Sequence, residues 1–111
     1  MKTSSQRTIL YLLEFGPVSE KVLQYQIVLD RLEKILHTCA QQSGWEIDSC
    51  DVLPDYVAIT LYLESSVDVE DVTMHLKQYS SDTLLQEFAE LKPFVVEGSL
   101  WQPGYDIEIL V

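Results

Sequence analysis

Residues 51–63 read Asp51-Val-Leu-Pro-Asp-Tyr-Val-Ala-Ile-Thr-Leu-Tyr-Leu63, with a turn pair, Pro54-Asp55, between two apolar runs. Beyond the turn the residues alternate. Val57, Ile59, Leu61 and Leu63 fall on one side, and Tyr56, Ala58, Thr60 and Tyr62 on the other, the two-residue period of a strand. The first set is wholly aliphatic and is expected to lie on a core. The second is small and aromatic and is expected to lie over something else. Before the turn, Trp45, Ile47, Ser49 and Asp51 alternate with Glu46, Asp48, Cys50 and Val52. That pattern predicts a second strand, joined to the first by a tight hairpin.

Working outward, Arg7 to Phe15 is rich in strand formers and apolar on both sides, which predicts a central strand ended by Gly16-Pro17. Ser19 is a candidate N-cap for a helix running to Ser43, with Gly44 as its stop. Val22, Tyr25, Leu29, Leu32, Leu36 and Cys39 form its predicted buried stripe. His37 falls beside that stripe and reads as a structural or surface residue. Asp68 can cap a further helix with Val69, Val72, Leu76 and Tyr79 inward, and Ser81 a short one that stops before Pro93. Tyr105 to Val111 alternates as a last strand. Strand–helix–strand–strand–helix–strand predicts an α+β fold: a ferredoxin-like split β-α-β sandwich, an antiparallel sheet with helices on one face.

Several segments, in order, resemble the IS200/IS605-type HUH single-tyrosine transposases, including the REP-associated tyrosine transposases. They are Gly44-Trp45, Pro54-Asp55-Tyr56-Val57, Leu76-Lys77 with Ser80-Ser81 and Leu84-Leu85, and Leu100-Trp101-Gln102-Pro103-Gly104-Tyr105. The resemblance runs from about Arg7 to Val111 and implies the IS200-like transposase fold. That family carries P-D-H-x-H, whose two histidines bind a divalent metal on one face of a strand. Here Tyr56 and Ala58 hold those slots. The family's basic loop after the first strand, often P-K-Y-R, is matched only by Pro17 and Lys21. The sequence ends where the resemblance would place the helix bearing the nucleophilic tyrosine. Tyr56 has no His or Lys near it in sequence to activate it as a substitute. It reads, with Tyr62, as cover for the open sheet face. Asp55 reads as a turn cap.

The 111 residues fit one domain over 1–111, with 1–6 as a flexible tail. No apolar run nears the ~20 residues of a membrane span, and Met1 to Thr8 lacks a signal peptide's apolar core. Cys39 and Cys50 lack the spacing of a metal site or redox pair. A cytoplasmic protein is expected. There are 18 acids against 7 bases, a formal charge of −11. From Ile35 onward the only bases are Lys77 and Lys92. Such a surface repels phosphate and weighs against nucleic-acid binding.

The expectation is therefore a non-enzyme without metal or cofactor: a catalytically inactive, domesticated transposase-fold module. It would act in regulation or protein interaction as a homodimer with a further protein partner. The alternative is a regulator that binds DNA or RNA hairpins without cleaving them. It would use the sparse bases Arg7, Lys21, Arg31 and Lys34, with Lys2 beside them. A third reading keeps metal-dependent strand transfer.

Overall fold

The computed structural model describes residues 7–111; the predicted tail, 1–6, lies outside the described residues. The elements are β1 (Thr8–Phe15), α1 (Gln26–Ser43), β2 (Glu46–Val52), β3 (Val57–Glu64), α2 (Val69–Glu87), a 3-10 turn (Ala89–Phe94) and β4 (Asp106–Ile109). They form one antiparallel sheet in the order β2-β3-β1-β4. This is the ferredoxin-like split β-α-β sandwich that the sequence predicts.

Val57, Ile59, Leu61 and Leu63 are buried in a cluster with Leu13 and Phe15 of β1 and with Leu32, Ile35 and Leu36 of α1. Val72, Leu76 and Leu84 of α2 join the same cluster. Burying an aliphatic side chain of this size stabilises by about 1.5–3 kcal/mol, so the aliphatic half of β3 anchors the sandwich. The alternate residues Ala58, Thr60 and Tyr62 stay half-buried on the other face, beside Leu10 and Leu12.

The first helix starts later than Ser19 predicts. Residues 19–25 form a turn in which Ser19 Oγ accepts from Lys21 N at 3.2 Å and Ser19 O from Val22 N. Val22 and Leu23 are both fully buried, and two successive inward side chains suit a plug better than a helical stripe. Tyr25 is extended (φ −107°, ψ 136°) at the N-cap and 62% exposed, so it leaves the predicted stripe. Gly44 ends α1 at φ 80°, a left-handed conformation that favours glycine.

The two predicted later helices are one. α2 runs through Ser80 and Ser81 without a break, because their hydroxyls are spent elsewhere. Ser80 Oγ donates back to Lys77 O, and Ser81 Oγ accepts from Leu100 N. Asp68 does cap the helix, accepting from Glu70 N at 2.9 Å. β2 also departs from simple alternation. A bulge between Ile47 and Ser49 shifts the register, so Cys50 and Val52 pack toward the core with Ile47. β4 is shorter than predicted, four residues on the edge of the sheet.

Candidate functional site

The Pro54-Asp55 turn closes β2 onto β3, with Leu53 N donating to Tyr56 O at 2.9 Å. It meets the exit of β1 closely: a Cβ on Gly16 would sit 3.3 Å from the Asp55 carbonyl oxygen. The Gln102–Tyr105 loop comes in from the other side. Gln102 N donates to Gly16 O at 2.9 Å, and its side-chain amide to Pro17 O at 3.1 Å. Between turn and loop opens a cleft of about 540 Å³, whose walls include Glu14, Asp55, Tyr56, Gln102, Tyr105 and Asp106.

The Leu100–Tyr105 loop is held by α2. Trp101 is buried edge-on to Phe15 at 5.2 Å, and its Nε1 donates to Lys77 O and Ser80 Oγ, both at 3.0 Å. Lys77 is only 8% exposed. Its ammonium donates to Gln102 O at 2.7 Å and Gly104 O at 3.0 Å, and lies 5.4 Å from the Tyr105 ring centroid. Burial holds its pKa below the usual lysine range. The two motif segments, around Leu76-Lys77 and around Leu100-Trp101, are thus halves of one latch. Sequence spacing gave no sign that Lys77 faces inward.

Tyr105 Oη donates to Glu70 Oε1 at 3.2 Å. Desolvation first, and then that hydrogen bond, push its pKa up, so its phenol keeps its proton at neutrality. Tyr56 reaches the cleft wall from just before β3. Ala58 sits one step inside β3, in a row set by the register: Asp51 on β2, Ala58 on β3, Glu14 on β1 and Asp106 on β4. The sequence reading missed Glu14 and Asp106, because long-range pairing alone brings them beside the turn.

A divalent ion of the kind the resemblance implies wants hard oxygen or imidazole donors at close range. Ala58 offers none, and a phenol is a poor ligand near neutrality. Among the described residues no three of His, Cys, Asp and Glu gather into a metal-holding group. The residues present do not fit the ion.

The four candidate phosphate contacts do not converge on the cleft. Arg7 and Lys21 lie beyond opposite ends of β1, whose eight residues span about 26 Å. Arg31 of α1 is engaged by Glu87 through two hydrogen bonds, 2.8 Å on the Nη2 arm. Lys34 is exposed on the same helix. No described helix is long and apolar enough to cross a membrane.

The family model "Transposase IS200 like" matches residues 17–110. The chain is 30% identical over 105 residues to the ISDra2 transposase TnpA of Deinococcus radiodurans, covering 91% of this chain and 75% of that protein. Its fold superposes with a TM-score of 0.88 on a crystal structure of a Deinococcus radiodurans R1 protein assigned as a transposase. That match has 26% identity and covers 100% of this chain and 85% of the other. A REP-associated tyrosine transposase bound to a REP hairpin shares the fold, with a TM-score of 0.66, 12% identity, and 93% and 56% coverage.

These relatives overturn the expectation of a non-enzyme. Transposases are enzymes, and the changes at Tyr56 and Ala58 are a difference in donor set, which does not by itself establish that activity is gone. The cleft that carries Tyr56 also carries carboxylates from β1 and β4 that a reading of the signature strand alone leaves out. By its sequence over residues 17–110 and by its fold, this chain belongs to the IS200-like transposase family.

Proposed function

We propose that this chain serves transposase-type DNA handling as a homodimeric subunit that contributes by binding and regulating protein. One observation carries the reading. The four strands, TILYLLEF, EIDSCDV, VAITLYLE and DIEI, bear carboxylates and neither lysine nor arginine. A sheet that grips DNA must neutralise phosphates; this one is suited to a cationic protein surface. The dimer is expected along β4, a short open edge with exposed Ile109. A cytoplasmic setting goes with this reading.

The test is affinity capture of the tagged protein from its source cells, with and without nuclease, beside a light-scattering mass. A dimer that keeps a specific protein after nuclease treatment supports the proposal. A monomer, or a protein that retains only nucleic acid lost with nuclease and salt, overturns it in favour of hairpin binding.

A second reading is strand cleavage with Tyr56 itself as the attacking group, a departure from the family's helix-borne tyrosine, favoured by the place of Tyr56 in a cleft at the signature turn. It is tested by incubating the protein with a hairpin-flanked single strand and magnesium or manganese. Nicking that Tyr56→Phe abolishes would establish it.

A further inference from the structure

Where the start of α1 meets the 3-10 turn after α2, the helix side of the molecule carries a groove. Its shape follows from how those elements begin and end. Tyr25 is extended, so α1 starts only at Gln26; Tyr25 is left outward and Ile27 is 69% exposed. α2 stops at Phe88 (φ −126°, ψ 79°), and the chain turns there, with Leu91 N donating to Phe88 O at 3.0 Å. Val28 and Leu91 are buried and form the floor. Tyr25 and Ile27 make one wall, and half-buried Phe88 and Phe94 the other. The groove measures about 430 Å³, within the ~300–1,000 Å³ of ligand pockets. Arg31, one turn beyond Ile27, grips Glu87, the neighbour of Phe88, through two hydrogen bonds. That pair ties the two walls together. Lys21 and Glu90 also line the groove and carry opposite charges. Among the described residues neither charged group has an ion-pair partner.

We infer that this groove binds a short segment of a partner protein: an apolar anchor flanked by one acidic and one basic residue. The aromatic and aliphatic walls hold the anchor. The flanking charges meet Lys21 and Glu90, and that complementarity fixes the direction in which the segment lies. Size argues against a second copy of this chain. A stable pair of folded proteins uses roughly 20–30 residues on each side; nine line this groove. Net charge agrees, since two chains of formal charge −11 repel each other. The groove shares no lining residue with the cleft at the Pro54-Asp55 turn.

The inference rests on the protein-binding reading above and adds a site and a chemistry for the partner. The probes are two capped hexapeptides of opposite charge order, Ser-Glu-Leu-Phe-Lys-Ser and Ser-Lys-Leu-Phe-Glu-Ser, titrated into the whole protein and followed by backbone amide shifts. One control has serine in place of both apolar residues, and another has serine in place of both charges. One charge order should bind saturably and move the amides of Ile27, Val28, Phe88 and Leu91. The peptide without its anchor should be silent, and the uncharged one about two- to fivefold weaker, the scale of an exposed ion pair. Ile27→Asp should weaken binding about tenfold or more. Residue 27 lies in the first turn of α1, where an acid suits a helix, so that variant is expected to fold. Lys21→Glu combined with Glu90→Lys should invert the preference between the two charge orders. Met74→Ser, at an exposed site on α2, should leave binding unchanged. Circular dichroism and a thermal midpoint check each fold, and the shifts on the parent protein locate the peptide if a variant does not fold.

Shifts confined to the sheet, or no saturable binding of either charge order, would overturn the inference. So would an Ile27→Asp variant that binds as tightly as the parent. Shifts of the same amides that grow with protein concentration in the absence of peptide would give the groove to a second copy and overturn it too. A hairpin DNA that moves those amides at lower concentration than either peptide would do the same in favour of nucleic acid. Failure here, with a nuclease-resistant partner still captured from cells, would remove this site and leave the protein-binding reading standing. Loss of that partner as well would remove both.

Discussion

On the helix side of β3 stand Val57, Ile59, Leu61 and Leu63, each 2% exposed or less. On the opposite side of the same strand stand Ala58, Thr60 and Tyr62, all half-exposed. The neighbouring strands continue the contrast, Leu13 and Phe15 against Leu12 and Glu14 on β1. The covered face is held by packing and by a latch that crosses from α2 to the Leu100–Tyr105 loop. The open face has few internal obligations, so its residues can differ without unfolding the protein. A face under that little structural constraint is where a family's chemistry can change, and Tyr56 and Ala58 lie on it.

Substitutions on the two faces should accordingly differ in kind. The largest loss is expected from Trp101→Ala. It empties a fully packed indole site and removes the donor shared by Lys77 O and Ser80 Oγ, at a cost of about 3–5 kcal/mol. Urea unfolding measures it. A loss below about 1 kcal/mol would mean that the latch is not a structural tie, and the contrast between the faces would fail at its strongest point.

Next comes Ser81→Ala. The Leu100 N–H would lose its acceptor in a buried setting, a penalty of about 1–3 kcal/mol. Amide exchange at Leu100 should quicken more than at Val18, which is bonded to Leu100 O. Equal protection in the variant would show that another acceptor replaces the hydroxyl, and the tie between α2 and Leu100 would not depend on Ser81.

Much of the covered face was legible. Period-two alternation picked out the inward residues of β3, the Asp68 cap was correct, and the order of elements gave the sandwich. What escaped was whatever depends on partners distant in sequence. Ser81 looks like a helix start until Leu100 N arrives to occupy its hydroxyl. Lys77 looks like a surface cation until the carbonyls of Gln102 and Gly104 close over it. At the candidate site the turn and the Leu100–Tyr105 loop were visible as motifs. Glu14 and Asp106 were not, because strand order alone sets them beside Ala58. The inference from two missing histidines to a non-enzyme failed for a related reason: it judged a cleft by one of its walls.

The open face supplies the third test. Leu12→Ser and Tyr62→Ser should each cost less than about 1 kcal/mol, the range of strand propensity and cross-strand pairing. Urea midpoints close to that of the parent, beside the large Trp101→Ala shift, would sharpen the contrast. A cost comparable to Trp101→Ala would mean that these side chains are packed in the folded protein, and the contrast between the faces would fail.

The smallest effect concerns the thiols, which report whether the β2 bulge turns Cys50 toward the covered face. Burial, followed by the negative charges of Glu33 and Asp51, pushes Cys50 up to about 12. Burial pushes Cys39 up to about 11, against a lowering by its hydrogen bond to Ser43. Both folded values exceed the ordinary 9.0. The unfolded chain therefore gives up its thiol protons first as pH rises, and it holds fewer protons than the folded chain above about pH 9. Stability falls wherever the unfolded state binds fewer protons. The thiol contribution should thus be intact below about pH 9 and decline from there toward about 11 to 12. At neutral pH both cysteines should resist iodoacetamide in the native protein and react together once urea unfolds it, since the thiolate is the reactive form. Rapid native alkylation of Cys50 alone would place it on the open face, and with it the whole register of β2 beyond Ile47.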